Sequence, residues 1–199
     1  QYLVLDESRY DDPVEGLKFI LSPPLRAKEH QEAIWQGIKD GTLQVIATDH
    51  CSFDFHGDKQ NGKNDFTKCP NGAPGVETRM PIVFSEGVSK GRLSLNEFAA
   101  VTSTNPAKIF GMYPKKGVLA PGSDADIVLM NPDMEVTITK NILHENVDYT
   151  PYEGIQVKGW PVMTMVRGQA VVENERLQVP LGFGRYINRK PVKYTELLK

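Results

Sequence analysis

The residues best suited to chemistry cluster where an apolar run at 44–47 gives way to Thr48, Asp49 and His50, in the stretch QVIATDHCSF. A carboxylate at the end of a buried strand can bind a metal ion or carry a proton. It can equally close a turn, and position alone leaves both roles open. His50 reads more readily as a structural hydrogen-bonding group, and His56 and His144 stand in polar segments that suit exposed side chains. Spacings that mark other chemistries are missing: there is no H-x-H, H-E-x-x-H, Walker A lysine loop, G-x-S-x-G or G-x-G-x-x-G. PNGAPG, with Gly72 and Gly75, has no strand before it and no phosphate-loop lysine, so it reads as a turn-rich loop. Cys51 and Cys69 are 18 positions apart, outside any C-x-x-C pair, and read as two reduced thiols of a cytoplasmic protein, with a disulfide between them as the other reading.

The elements around Asp49 follow from periodicity. Residues 2–5 (YLVL) read as a buried strand. Residues 17–22 (LKFILS) read as a second extended piece, stopped by Pro23 and Pro24, with Ser22 extended because a proline follows it. Over 25–40, Ala27, Gln31, Ile34 and Ile38 share one helical face, and Gly41 ends the helix. A helix, a tight turn and an apolar strand at 44–47 make the α-to-β half of a βαβ unit. Residues 50–75 form a long loop rich in Gly, Asn, Asp and Lys, of a length that is often functional.

A helix over 81–90 follows, with Pro81 in its first turn and Val83, Phe84, Gly87 and Val88 on one face. Ser94 and Glu97 have capping-box spacing, with Leu93 and Phe98 as the hydrophobic staple. TNPAKIFG predicts another short helix capped by Asn105, with Pro106 first and Gly111 at its end. Beyond Gly111 the chain reads as all-β: a strand at 125–130, alternation at 134–139, and two or three short strands over 154–177. Residues 162–166 show no wet side, so both faces are expected to be covered. Residues 178–199 are basic and aromatic without periodicity and read as a tail lying on another surface.

The fold class is therefore α/β. Residues 1–112 form the C-terminal part of a barrel, 113–177 a smaller β portion and 178–199 a tail. Barrel enzymes carry their chemistry at the C-terminal ends of the strands, which is where Asp49 stands. The 199 residues, 40% hydrophobic and 24% charged with a net charge of -2, suit a folded globular chain. No basic stripe points to nucleic acid. No apolar run is long enough to span a bilayer, and the start has no signal-peptide pattern. Because QYLVLD opens inside a strand-like run, the numbering is expected to begin mid-domain.

Five motifs stand in order: SPPLR (22–26), ATDHCSF (47–53), DFTKCPNGAPGVETRMP (65–81), TSTNPAKIFG (102–111) and GSDADIVLMNP (122–132). Together they resemble the dihydropyrimidinase and D-hydantoinase family of the amidohydrolase superfamily, over nearly the whole chain. The resemblance implies the C-terminal two-fifths or so of such an enzyme, with a TIM-like (β/α)8 barrel and a β-sandwich built from both chain ends. Residues 2–5 would start the seventh barrel strand and 44–47 would be the eighth.

It implies hydrolytic ring opening of 5-substituted hydantoins or dihydropyrimidines to N-carbamoyl amino acids. It further implies two divalent metal ions, usually zinc, held by four histidines, a carboxylated lysine and one aspartate. Asp49 matches that aspartate, as metal ligand and catalytic proton carrier. Ser22 and Asn71, 27 residues before and 22 after Asp49, match the substrate-holding positions. The other ligands would precede Gln1, so this segment alone is expected to bind no metal pair and to hydrolyse nothing. The implied partners are a small cyclic amide or ureide and further copies of the chain, as a homotetramer. Allantoinases and dihydroorotases share the aspartate but differ before the proline pair and in the NGAPGVETR loop. Non-catalytic scaffold relatives have typically lost it.

Overall fold

Two units account for the chain in the computed structural model, which describes residues 1–192. The part of the expected tail at 193–199 lies outside the described residues. The first unit comprises Gln1–Leu43, Ala47–Ile82 and Val136–Val157; the second comprises Gln44–Ile46, Val83–Glu135 and the residues from Lys158 onward.

The first unit is mostly irregular backbone around one three-turn helix. Helix α1 (Glu29–Lys39) starts later than the helix expected over 25–40, so Ala27 precedes it; Trp35 and Ile38 turn inward, and Gln31 and Ile34 of the expected face are half-buried. Each side chain of that size is worth about 1.5–3 kcal/mol when fully buried. Gln31 Nε2 also donates to Leu5 O at 3.1 Å. The chain leaves the helix at Gly41, as expected. The long loop contains two 3-10 turns, Lys59–Gly62 and Phe66–Lys68, the second capped by the Asp65 carboxylate. Leu17, Phe55, Cys69 and Tyr149 form one apolar cluster of the unit, with Val14 and Ile20 against it.

The second unit is regular. Helix α2 (Arg79–Val83) continues as a π-helix, Phe84–Ser89. Helix α3 (Leu95–Ala99) begins with the predicted capping box. Ser94 Oγ accepts from Glu97 N–H at 3.2 Å, and Glu97 Oε2 accepts from Ser94 N–H at 2.7 Å. A π segment, Ala100–Thr104, carries α3 directly into α4 (Asn105–Ile109).

Strands β1 (Ile127–Thr137), β2 (Gln156–Val166), β3 (Gln169–Glu173) and β4 (Arg176–Leu177) form one sheet in the order β1-β2-β3-β4. The β2–β3 and β3–β4 pairs are antiparallel, with two-residue connections at Arg167-Gly168 and Asn174-Glu175. All four connecting residues have positive φ, as in the primed turns whose twist suits a hairpin. Pro132 lies exposed within edge strand β1, the place where a missing N–H costs no ladder bond. Residues 161–166 are uniformly half-buried, consistent with the absence of a wet side.

Several sequence expectations need correction. Residues 2–5 form a turn, with Val4 and Leu5 N–H groups donating to Gln1 O, and 44–47 form no ladder. A strand exists only through a hydrogen-bonded neighbour. The run at 44–47 is bonded through Ile46 N–H to Val101 O and through Asn105 Nδ2–H to Gln44 O, and neither belongs to a ladder. The apolar run alone could not report that. Leu17, Lys18 and Phe19 belong to a 3-10 turn, Glu15–Phe19, and the extended backbone begins at Ile20. Asn105 caps nothing, because the helix arrives already wound. Pro106 has no N–H to give the carbonyl of Thr102, and the wider π turn sits at that gap. The two strands expected at 125–130 and 134–139 are the single strand β1. The fold present is thus a mixture of helices and an antiparallel sheet.

Candidate functional site

Three backbone segments of the first unit meet, and each carries one residue singled out in the sequence. Gly72 N–H donates to Ile20 O at 3.1 Å, and Cys51 N–H donates to Ala73 O at 3.2 Å. His50 and Ala73 form an isolated parallel bridge. Gly72 makes the approach possible: its φ is +138°, and a Cβ there would lie 2.4 Å from Cys51 O.

The result is a cavity of about 170 Å³ whose wall includes Ser22, Asp49 and Asn71, together with Cys51, Gly72 and Tyr152. Ser22, Asp49 and Asn71 are exposed, whereas Tyr152 is buried. A wider hollow of about 850 Å³ shares Leu21, Ser22 and Asn71 with it.

Asp49 holds its backbone at φ +52°, in the left-handed region that Asp tolerates better than most residues. Among the described residues, none donates a hydrogen bond to its carboxylate. Such a group, held in an uncommon backbone conformation at a cavity wall, can take a ligand or a proton. His50 behaves as expected of a structural group. Its Nδ1 accepts from the N–H groups of Gly75 and Val76 at 3.1 and 3.3 Å, which ties the ring to the loop that follows Asn71. His56 and His144 are exposed, and His144 Nδ1 lies 2.7 Å from Glu77 Oε1.

The electrostatics come from buried neighbours. Burial, and then the charge of Glu145, push the Tyr152 phenol well above its ordinary range, so it stays neutral and can donate. Lys59 is the residue that sequence reasoning missed. It is 0% exposed, and its Nζ donates to Ile20 O at 2.8 Å and Pro70 O at 2.7 Å. Burial pulls its ammonium pKa down. A lysine in a Gly- and Asn-rich loop reads as solvated, and nothing in GDKQNGK separates Lys59 from the exposed Lys63. Cys51 and Cys69 are both free thiols, the first exposed at the cavity and the second buried.

Among the described residues, no group of three or more His, Cys, Asp or Glu side chains could hold a metal ion. Asp49 fits as one ligand, but the described residues do not complete a two-metal centre around it. No helix is long and apolar enough to cross a membrane.

Comparison with known proteins gives concordant matches. The model of the Amidohydrolase family covers residues 6–171. The D-hydantoinase of Geobacillus stearothermophilus is 49% identical over 199 residues, 100% of this chain and 42% of that protein. The D-phenylhydantoinase of Escherichia coli O1:K1 / APEC is 48% identical over 191 residues, 96% of this chain and 41% of its own length. The crystal structure of dihydropyrimidinase from Brevibacillus agri NCHU1002 superposes with a TM-score of 0.95 at 50% identity, covering 97% of this chain and 42% of that one. The chain therefore spans about two-fifths of the length of the relatives it matches.

Proposed function

The chain belongs to the amidohydrolase family, in its D-hydantoinase and dihydropyrimidinase group, and from that premise we propose that it forms the C-terminal portion of a metal-dependent cyclic amidohydrolase. The reaction is hydrolytic ring opening of 5-substituted hydantoins or dihydropyrimidines to N-carbamoyl amino acids. In this reading residues 1–112 complete a TIM-like barrel and 113–177 contribute to a β-sandwich. Residues 178–199 lie against a neighbouring subunit of a homotetramer. The two free thiols suit a reducing, cytoplasmic compartment. The observation that carries the proposal is the convergence of Ser22, Asp49 and Asn71 on one cavity from three separate segments.

Two divalent cations, zinc in the first instance, would supply Lewis-acid activation of the ring carbonyl and of water, with ligands other than Asp49 contributed from outside this chain. The remaining work falls to residues described here. Ser22 and Asn71 hold the polar edge of the ring through backbone groups, an N–H donating to a ring oxygen and a carbonyl accepting from a ring N–H. Gly72 lets that backbone come close. As water adds to the ring carbonyl carbon, the Asp49 carboxylate takes its proton. It then returns that proton to the amide nitrogen as the C–N bond breaks, leaving a ureido group and a carboxylic acid that ionises to solvent.

The test is a substrate panel (phenylhydantoin, dihydrouracil, allantoin and dihydroorotate) presented to the full-length protein that carries this segment, with Asp49→Ala alongside. Turnover of the first two, lowered by a factor on the order of 10³ in Asp49→Ala with the melting temperature unchanged, is the expected result. Preference for allantoin or dihydroorotate, or indifference to Asp49→Ala, would overturn the reading.

A further inference from the structure

The ammonium of Lys59 ties the backbone before Ser22 to the backbone before Asn71, and from this geometry we infer that Lys59 is a positioning residue that sets the spacing of the two ring-holding segments. The inference rests on the ring-opening reading. Its own evidence is separate from the residues that the reading uses.

Lys59 is the largest side chain in the described structure with essentially no exposure. It springs from a 3-10 turn, Lys59–Gly62, in which Lys59 and Gly62 are the buried residues. Placing a cation there is unfavourable unless its donors are satisfied. Two of them are, by carbonyls that belong to different segments: Ile20 O at 2.8 Å and Pro70 O at 2.7 Å. The Phe53 ring centroid lies 5.9 Å away. Ile20 O also accepts from Gly72 N–H at 3.1 Å, so one carbonyl is gripped by both the ammonium and the segment beyond Asn71.

Ser22 is two residues past Ile20, and Asn71 is the residue after Pro70. A point charge with three rotatable donors can bridge two carbonyls that no backbone ladder joins. No atom of Lys59 is among those lining the cavity, so it acts on the ring only through the segments it holds. A ligand held by two separate stretches of backbone is sensitive to their spacing, since misplacement of about 1 Å can cost on the order of 10²-fold.

The experiment uses the full-length protein with Lys59→Met, Lys59→Gln and, as a charge-matched control, Lys68→Met on the exposed end of the same loop. Turnover of phenylhydantoin and dihydrouracil by the unaltered protein is measured first. With turnover present, Lys59→Met is expected to raise KM about tenfold or more, leaving kcat within about twofold and the bound-metal content unchanged. Lys59→Gln, which keeps an uncharged donor nitrogen on a shorter stem, falls between, and Lys68→Met matches the unaltered protein.

A purely structural lysine would lower the melting temperature and leave KM alone, and that outcome overturns the inference while the ring-opening reading stands. If Lys59→Met does not fold, an unaltered KM in Lys59→Gln overturns it equally. Absence of turnover by the unaltered protein overturns both, because there is then no ring for the two segments to position.

Discussion

The two units hold their backbones in different ways. In the second, carbonyls and N–H groups are largely consumed by helix turns and by the ladders of β2, β3 and β4, and side chains supply apolar contact. Phe84 meets Phe98 edge to face, with centroids 5.5 Å apart and planes at 90°. In the first unit, much of the backbone is tied by side chains. Lys59 bridges Ile20 and Pro70, and Tyr149 Oη donates to Lys18 O at 3.1 Å. Tyr10 Oη donates to Phe19 O and accepts from Leu25 N–H. The Asp148 carboxylate accepts from the N–H groups of Phe55 and His56 at 2.6 and 2.8 Å. Backbone committed to a ladder has nothing left for a ligand. Backbone pinned by side chains keeps some of its polar groups available, and the cavity with Ser22, Asp49 and Asn71 lies in that kind of structure.

Matched glycines sharpen this contrast. Gly159 in β2 has φ +102°, and a Cβ there would lie 2.2 Å from the Phe84 ring. Gly72 has the comparable obstruction against Cys51 O. Gly159→Ala is expected to cost about 3 kcal/mol of stability through backbone strain and overpacking, leaving KM for the ring unchanged in the folded protein. Gly72→Ala is expected to lower kcat/KM by about 10²-fold, because it separates the segments bearing Asn71 and Asp49. Thermal melting and steady-state kinetics on both variants check the pair. The same response from each would erase the distinction.

A smaller effect is expected from Asp148. Partial burial raises its carboxyl pKa, but the N–H donors of His56 and Phe55 more than offset this, and the net shift is downward from 3.8. A lowered carboxyl pKa contributes stability that is present above 3.8 and is lost as pH falls through the folded-state value. Acid unfolding of the unaltered protein should therefore be steeper below about pH 3.8 than that of Asp148→Asn. Identical profiles would mean that this side-chain tie contributes nothing measurable.

What could be read in the sequence follows the same division. The face of α1, its end at Gly41 and the Ser94–Glu97 capping box all depend on residues within four or five positions of one another, and each stands in the structure as expected. Residues 2–5 and 44–47 have strand-like composition without forming strands, because a strand is a relation to a distant neighbour, and an apolar run of four carries no record of whether that neighbour is present. The continuity of α3 into α4 is not legible in the sequence, because Asn-Pro looks like a helix start, whereas a π turn lets the helix run through it. Asp49 stands out by its place after an apolar run, whereas Ser22 and Asn71 are legible only through motif resemblance; only the folded chain brings the three to one cavity. Lys59 was not found, because its burial is decided by segments 39 residues before it and 11 after it.

The central claim is that the Asp49 carboxylate faces a ring held by the Ser22 and Asn71 segments. An electron-density map of the full-length protein with a bound cyclic ureide tests it most directly. The account predicts the Asp49 carboxylate directed at the ring carbonyl, with backbone groups of Ser22 and Asn71 within hydrogen-bond distance of the ring's polar edge. A map with that carboxylate turned to solvent and the ring bound elsewhere would contradict it.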